Sequence, residues 1–460
     1  MNVDLAVALI ASIGYLLFIV YTRKSNTFEG YSVAGRSVGF FILFASLSAN
    51  FIGGGFTLGL VQQGFSTGYF YMLVASAYGI GKIIEGLILA PKLRSKFTDA
   101  LSIGDVVAGH KGHNNKTLQF LVGFISFGLL VGLSVVMSKA GGEILNSFLG
   151  VPKFLGTAII TIIVTCYSVF GGLKSTMMTD TVQFIAFLIL FPLLAFFVLS
   201  NSNFDSAIFM KNVNALTTNA FNETSGIAIF GMALSWFLGE MLMPFTTHTI
   251  LAGKSSGIAK KALFFSGVLM IVWLFFMLTM GIMTKTVLPD IINDDQVLLR
   301  LSENYLPIGF FGLFAVAIVG VVMSSQDALI NCGSVVFSRD MLDVIKPLSE
   351  KQIVRFSKIA GVGVGILSIL LASFIPSIID GLLLFYSIWV PSVLVVTVFA
   401  IFLEKPSHQA AIVALIVGTM SSILWSLSQW KDFIPSILVG LILSSSSYLI
   451  IHIVYCKHKK

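Results

Sequence analysis

The sequence predicts an all-α integral membrane protein of about thirteen transmembrane helices. Three observations carry this. The 460 residues are 56% hydrophobic and only 11% charged, against about 25% charged in a soluble domain. Apolar runs near 20 residues, the length that spans a bilayer as a helix, recur along the whole chain. Basic residues collect in every second connection between those runs. Together they exclude a soluble enzyme, a disulfide scaffold and a disordered regulator. Cys166, Cys332 and Cys456 have no metal or redox spacing.

The runs follow in order. The first, 3–22, is followed directly by Arg23 and Lys24 and lacks a small-residue cleavage site, so it reads as a retained helix. The second, 38–61, contains Gly53-Gly54-Gly55, and the third, 68–91, holds Lys82 and Glu85. The fourth and fifth, 117–138 and 154–173, are uncharged, and the sixth, 178–200, opens at Asp180. The seventh, 226–251, carries Glu240, Pro244 and His248; the eighth is 262–284. The ninth, 308–337, contains Ser324, Ser325 and Asp327. The last four are 356–375, 381–403, 409–427 and 434–455. Gly361 and Gly365 in the tenth form a small-residue packing pattern.

Thirteen spans put the termini on opposite sides. Of 28 basic residues, 21 lie in one set of loops and 6 in the other, with Lys82 inside a span. This bias places the first set in the cytoplasm. The expectation is a plasma (inner) membrane protein with its amino terminus outside and its carboxyl terminus inside. The net charge of +7 is then an orientation signal and not a nucleic-acid footprint. The longer segments 201–225 and 285–307 are expected as solvated outer connections.

Two spans are too irregular to be plain anchors. Three consecutive glycines at mid-span weaken the second as a helix. In the seventh, a proline, a carboxylate and a histidine share the middle. Backbone freed at that depth is tolerated where it lines a cavity or binds a ligand. Two interrupted spans five helices apart are the pattern of an inverted-repeat secondary transporter, with the solute held between the breaks. The charged residues within spans are Lys82, Glu85, Asp180, Glu240 and Asp327, each costly unless paired or functional. Lys82 and Glu85, three apart on one face, read as a structural ion pair. Ala45, Ser48, Ser324 and Asp327 fall at similar depth in the inner half and offer hard oxygen ligands, which suit a small alkali cation. Gly64-Phe65-Ser66-Thr67-Gly68 imitates a nucleophile elbow but has no strand before it. No phosphate loop, nucleophile–base pair or metal motif supports an enzyme or an ATP-driven pump.

The chain resembles the sodium/solute symporter family over nearly its full length. The resemblance rests on Phe44-Ala45 with Gly53-Gly54-Gly55, on Phe170-Gly171-Gly172 with Thr179-Asp180 and Gln183, and on Met323-Ser324-Ser325 with Asp327 and Phe337-Ser338-Arg339-Asp340. It implies the leucine-transporter-type fold: an inverted repeat of five plus five helices whose first and sixth members are broken. That gives a first repeat at 38–200, a second at 226–403, an extra amino-terminal helix and loop at 1–37, and two further helices at 409–455. It also implies one sodium held by the carbonyls of Ala45, Ser48 and Val321 and the hydroxyls of Ser324 and Ser325. A second cation site would use Asp180 and Asp327. The sialic-acid branch has serine where Asp327 stands, and this departure suits either a stronger cation site or a proton site. Asn50, Phe51, Gly53, Gly54, Glu240 and Met243 are the candidate solute residues. The implied function is sodium-coupled symport of a small organic solute (amino acid, choline-like cation, sugar or carboxylate) by alternating access. Proton-coupled symport is the alternative, and a transporter-like sensor stands further off.

Overall fold

The computed structural model describes residues 27–110, 113–291, 296–375 and 377–458, with Val3, Asp4, Val7, Ile10 and Gly14. The first expected span therefore lies mostly outside the described residues. In chain order the helices are α1 (Phe28–Val33), α2 (Phe40–Phe51), α3 (Leu60–Thr67), α4 (Phe70–Lys96), α5 (Lys116–Leu149), α6 (Lys153–Asn201), α7 (Ser206–Glu223), α8 (Gly226–Gly239) and α9 (Pro244–Ala252). They continue as α10 (Ser256–Val287), α11 (Phe310–Ile345), α12 (Glu350–Leu371), α13 (Ile378–Phe402), α14 (His408–Ser426) and α15 (Ser436–His458). Ten stretches are long and apolar enough to cross a membrane, and α2 with the helix after it forms one more that bends by 67°. Among the described residues the named strands are one two-residue pairing, Gly109–His110 with His113–Asn114. The architecture is all-α and multi-pass.

Helix ends follow their caps. Ser225, Ser255, Ser377 and Ser407 each accept a backbone N–H of the first turn. Asp4 accepts from Gly309 and Gly312 at 2.7 and 3.1 Å, fixing the start of α11. On the face rich in lysine and arginine, Lys96 donates to the carbonyls of Ala400, Ile401 and Leu403 at 2.8–3.2 Å and closes the end of α13. There the entry to α2 also pairs with the exit of α9: Val38 N–H donates to Ala252 at 3.1 Å, and Lys254 N–H to Val38 at 2.9 Å. Large apolar side chains such as Phe124, Ile162, Phe196, Val272 and Leu370 point outward, as lipid-facing positions require.

Several connections are more ordered than the runs alone suggest. Runs 154–173 and 178–200 join in α6 without a loop. Two helices meet there at a kink, at Gly172, whose φ of 68° a glycine adopts freely. The segment 201–225 is mostly the helix α7, begun by Asp205 accepting from Ala207 and Ile208. Its Thr217 hydroxyl in turn accepts from Tyr69 N–H at 3.0 Å. The segment 285–307 contains a helix, Val297–Tyr305. The ninth span extends to Ile345, so Ser324 and Ser325 lie near the middle of a 36-residue helix.

Candidate functional site

The glycine triplet ends α2. Its closing backbone bond runs from Ile52 N–H to Ser48 O at 3.0 Å, and Thr57 Oγ1 then donates to Ile52 O at 2.7 Å. Freed of a side chain, the break lies against α11. A Cβ on Gly53 would stand 2.3 Å from Ser325 Oγ, and one on Gly54 would stand 3.2 Å from Ala140 and Val322. Ser324 Oγ donates to Ala49 O at 3.2 Å and to Val321 O at 3.0 Å, and Ser325 Oγ donates to Asn50 O at 2.9 Å. Three carbonyls and two hydroxyls thus converge in a buried place. All are hard oxygen donors of the kind an alkali cation takes.

Two further expected ligands, Ala45 and Ser48, lie earlier on α2. The Ser48 carbonyl is engaged by Ile52, and the Ser48 hydroxyl meets Ser266 on α10 at 2.9 Å. The carbonyls that the serines themselves bond are those of Ala49 and Asn50, further along α2, and of Val321 on α11.

Asp180 and Asp327 are both buried. Asp180 Oδ2 accepts from Ser46 at 2.6 Å and Asn50 at 3.3 Å. Asp327 Oδ2 accepts from Tyr167 at 2.7 Å. The Oδ1 atom of each has no hydrogen-bond partner among the described residues. Asn50 therefore touches Asp180 with its amide and Ser325 with its carbonyl, linking the two candidate cation sites.

The second break is over-determined. Leu242 sits at φ 51°, a left-handed conformation that a leucine adopts only at a cost of about 1–3 kcal/mol. Four bonds hold the turn. Glu85 Oε1 accepts Leu242 N–H at 3.1 Å, and Lys82 Nζ donates to Glu240 O at 2.6 Å. Trp389 Nε1 donates to Met241 O at 3.1 Å, and Thr247 Oγ1 to Leu242 O at 3.0 Å. The Lys82–Glu85 pair, 3.0 Å apart and buried, is the ion pair the sequence indicates. Its charged ends also clamp the unwound segment. The Glu240 carboxylate accepts from the phenols of Tyr78 and Tyr386.

Between the breaks lies a cavity of about 30 Å³. Asn50, Phe51, Gly53, Phe56, Glu240, Phe245 and Ser325 line it, with Leu133, Met137, Leu329 and Leu382. Four of the six expected solute residues are there. Gly54 packs on Ala140 and Val322, and Met243 is buried outside the lining. Phe56 and Phe245 were missed because an aromatic in an apolar run carries no signal. Tyr78, by contrast, lies one turn from Lys82, a legible spacing. A larger cavity of about 430 Å³ opens toward the face opposite the basic one, lined among others by Gln62, Gln63, Lys139, Glu143, Lys153 and Asp380. His248 is buried, with neither ring nitrogen hydrogen-bonded among the described residues.

Residues 31–418 match the family described as the sodium:solute symporter family. The chain is 27% identical over 459 residues to the high-affinity proline transporter of Bacillus subtilis, covering 95% of this chain and 94% of that one. It is 25% identical over 398 residues to the sodium/pantothenate symporter of Haemophilus influenzae, covering 80% and 81%. In fold it is similar to a Na+-coupled sialic acid symporter solved in a substrate-bound, outward-open state. The TM-score is 0.84 at 17% identity, over 98% of this chain and 97% of that one.

Proposed function

The chain belongs to the sodium:solute symporter family, and from that premise we propose that its solute is a compact molecule with a cationic nitrogen, a zwitterionic amino acid such as proline foremost. Sodium-coupled symport of a small solute is the family's activity, and the chain is a transporter and not an enzyme. The observation that carries the mechanism is the sharing of Asn50, Gly53 and Ser325 between two places. Ser325 bonds the Asn50 carbonyl at the oxygen cluster, and the same three residues line the solute cavity. Sodium among the oxygens of Ala49, Asn50, Val321, Ser324 and Ser325 turns the two hydroxyl protons away and takes their lone pairs. That pins the α2 break to α11 and fixes one wall of the solute cavity. Solute and sodium then each favour the state the other binds, which is coupling in the thermodynamic sense.

The solute class follows from charge. Around the second break stand one ammonium, Lys82, and two carboxylates, Glu85 and Glu240. With the buried Lys82–Glu85 pair balanced, the half-buried Glu240 leaves an excess of negative charge that favours a cationic partner. The proline transporter among the relatives fits this reading. Asp180 and Asp327, each with one buried oxygen unpartnered, support a second cation site, filled by a second sodium or by protons.

The basic face lies in the cytoplasm of a plasma membrane on this reading, with the amino terminus outside. The cavity of about 430 Å³ then opens outward. The repeats run over 38–200 and 226–403, each opening with a broken helix, and the whole sits in a lipid bilayer. Uptake of labelled L-proline, choline and pantothenate into proteoliposomes tests the proposal, with sodium or potassium outside. Sodium-dependent uptake of a nitrogen cation or zwitterion, lost in Ser325→Ala, is expected. Uptake of pantothenate alone would overturn the solute class, and uptake driven by a pH gradient without sodium would overturn the coupling ion.

A further inference from the structure

Glu240 faces the solute cavity, yet both its oxygens are engaged. Tyr78 of α4 donates to Oε2, and Tyr386 of α13 donates to Oε1. The Lys82 ammonium bonds Glu85 at 3.0 Å and the Glu240 backbone carbonyl at 2.6 Å, and not the Glu240 carboxylate. The Glu240 carboxylate is thus held by two neutral donors. A charged donor bonds a carboxylate about twice as strongly as a neutral hydroxyl does, so an ammonium displaces a phenol and a neutral group does not.

The two phenols are not equally free to yield. Tyr78 is wedged among Phe51, Phe56 and Trp236, with ring centroids 5.9, 4.5 and 6.3 Å away. Tyr386, also buried, has one such ring neighbour, Trp236 at 6.0 Å, and otherwise packs closely on Gly239. It belongs to α13, whose Leu382 lines the solute cavity and whose Ile379 and Asp380 line the larger cavity.

We propose that Tyr386 competes with the cationic nitrogen of the solute for Glu240, and that this competition sets specificity. A solute without such a nitrogen cannot replace the phenol bond. One that has it takes over Oε1 and frees the Tyr386 phenol of α13. This rests on the reading that the solute carries a cationic nitrogen.

The test uses purified full-length protein in sodium and three five-membered-ring probes: L-proline, pyrrolidine and cyclopentanecarboxylate, with affinity read by calorimetry. The parent is expected to bind the two nitrogen probes and not the carboxylate alone. Glu240→Gln abolishes that binding. Tyr386→Phe removes the competitor, so affinity for the nitrogen probes rises about three- to tenfold, the scale of one hydrogen bond, while cyclopentanecarboxylate still fails to bind. A purely structural tyrosine would give weaker binding on removal. Unchanged or weaker affinity in Tyr386→Phe therefore overturns the competition and leaves the solute class standing. Absence of nitrogen-probe binding in the parent overturns both. Should Tyr386→Phe not fold, Tyr386→Met removes the same donor and carries the same comparison.

Discussion

At Gly53 a single hydrogen atom keeps two helices in register. A Cβ there would lie 2.3 Å from Ser325 Oγ, a separation that forces the hydroxyl aside or pushes α11 back. Ser325 is the residue that bonds the α2 break, so the oxygen cluster is lost with it. Gly53→Ala is expected to raise the sodium concentration for half-maximal uptake at least about tenfold, equivalent to about 1.4 kcal/mol. Gly54→Ala meets Ala140 and Val322 at 3.2 Å and should be milder. Sodium titration of uptake by the two variants checks the order; equal effects would show that the triplet acts only by weakening the helix. The role of Gly53 was legible as a break, but its partner was not. Nothing in a run of glycines says which facing residue needs the space, or that the carbonyls bonded by the serines are those of Ala49 and Asn50.

Among elements, the clamp between α4 and the unwound turn after α8 shows what an ion pair inside a membrane can hold. Lys82 and Glu85 are nearly inaccessible, at 2% and 0% side-chain exposure. Glu85 opens a π-helical turn, Glu85–Leu89, within α4, an irregularity frequent at functional sites. Removing one partner leaves a buried charge uncompensated, at a cost of about 3–5 kcal/mol. Lys82→Met should therefore lower the thermal unfolding midpoint sharply. The double variant Lys82→Met/Glu85→Gln should recover much of the loss, since glutamine still accepts from Leu242 N–H. A double variant no better than the single would show that the lysine acts mainly through the Glu240 carbonyl. The sequence showed the pair, three residues apart on one helix. It could not show that the pair caps a segment more than 150 residues away.

For the whole molecule, the two cavities and the charge bias make one testable statement about access. Ser147 lines the cavity of about 430 Å³. Ser147→Cys in intact cells is expected to react with a membrane-impermeant thiol reagent added outside, and sodium with solute should slow that reaction. The native thiols interfere little where they are described, since Cys332 is buried and Cys166 lies on the apolar outer surface of α6. Labelling only after the membrane is opened would reverse the assigned orientation.

By itself the sequence determined the class: apolar runs of spanning length, basic residues in alternate loops, and two spans whose glycine, proline and carboxylate cannot make plain helices. These are local properties, fixed by how each segment meets lipid and water. It also marked Ser324, Ser325, Asp180, Asp327 and Glu240 as candidates, because a polar group at that depth is costly without a task. Only the tertiary structure decided partners. Which carbonyls face the two serines, which phenols hold Glu240, and that α6 turns at Gly172 without a loop all depend on contacts between segments far apart in the chain. Such contacts are set by packing, where one hydrogen atom on Gly53 decides the register, and packing leaves no periodic mark in the sequence.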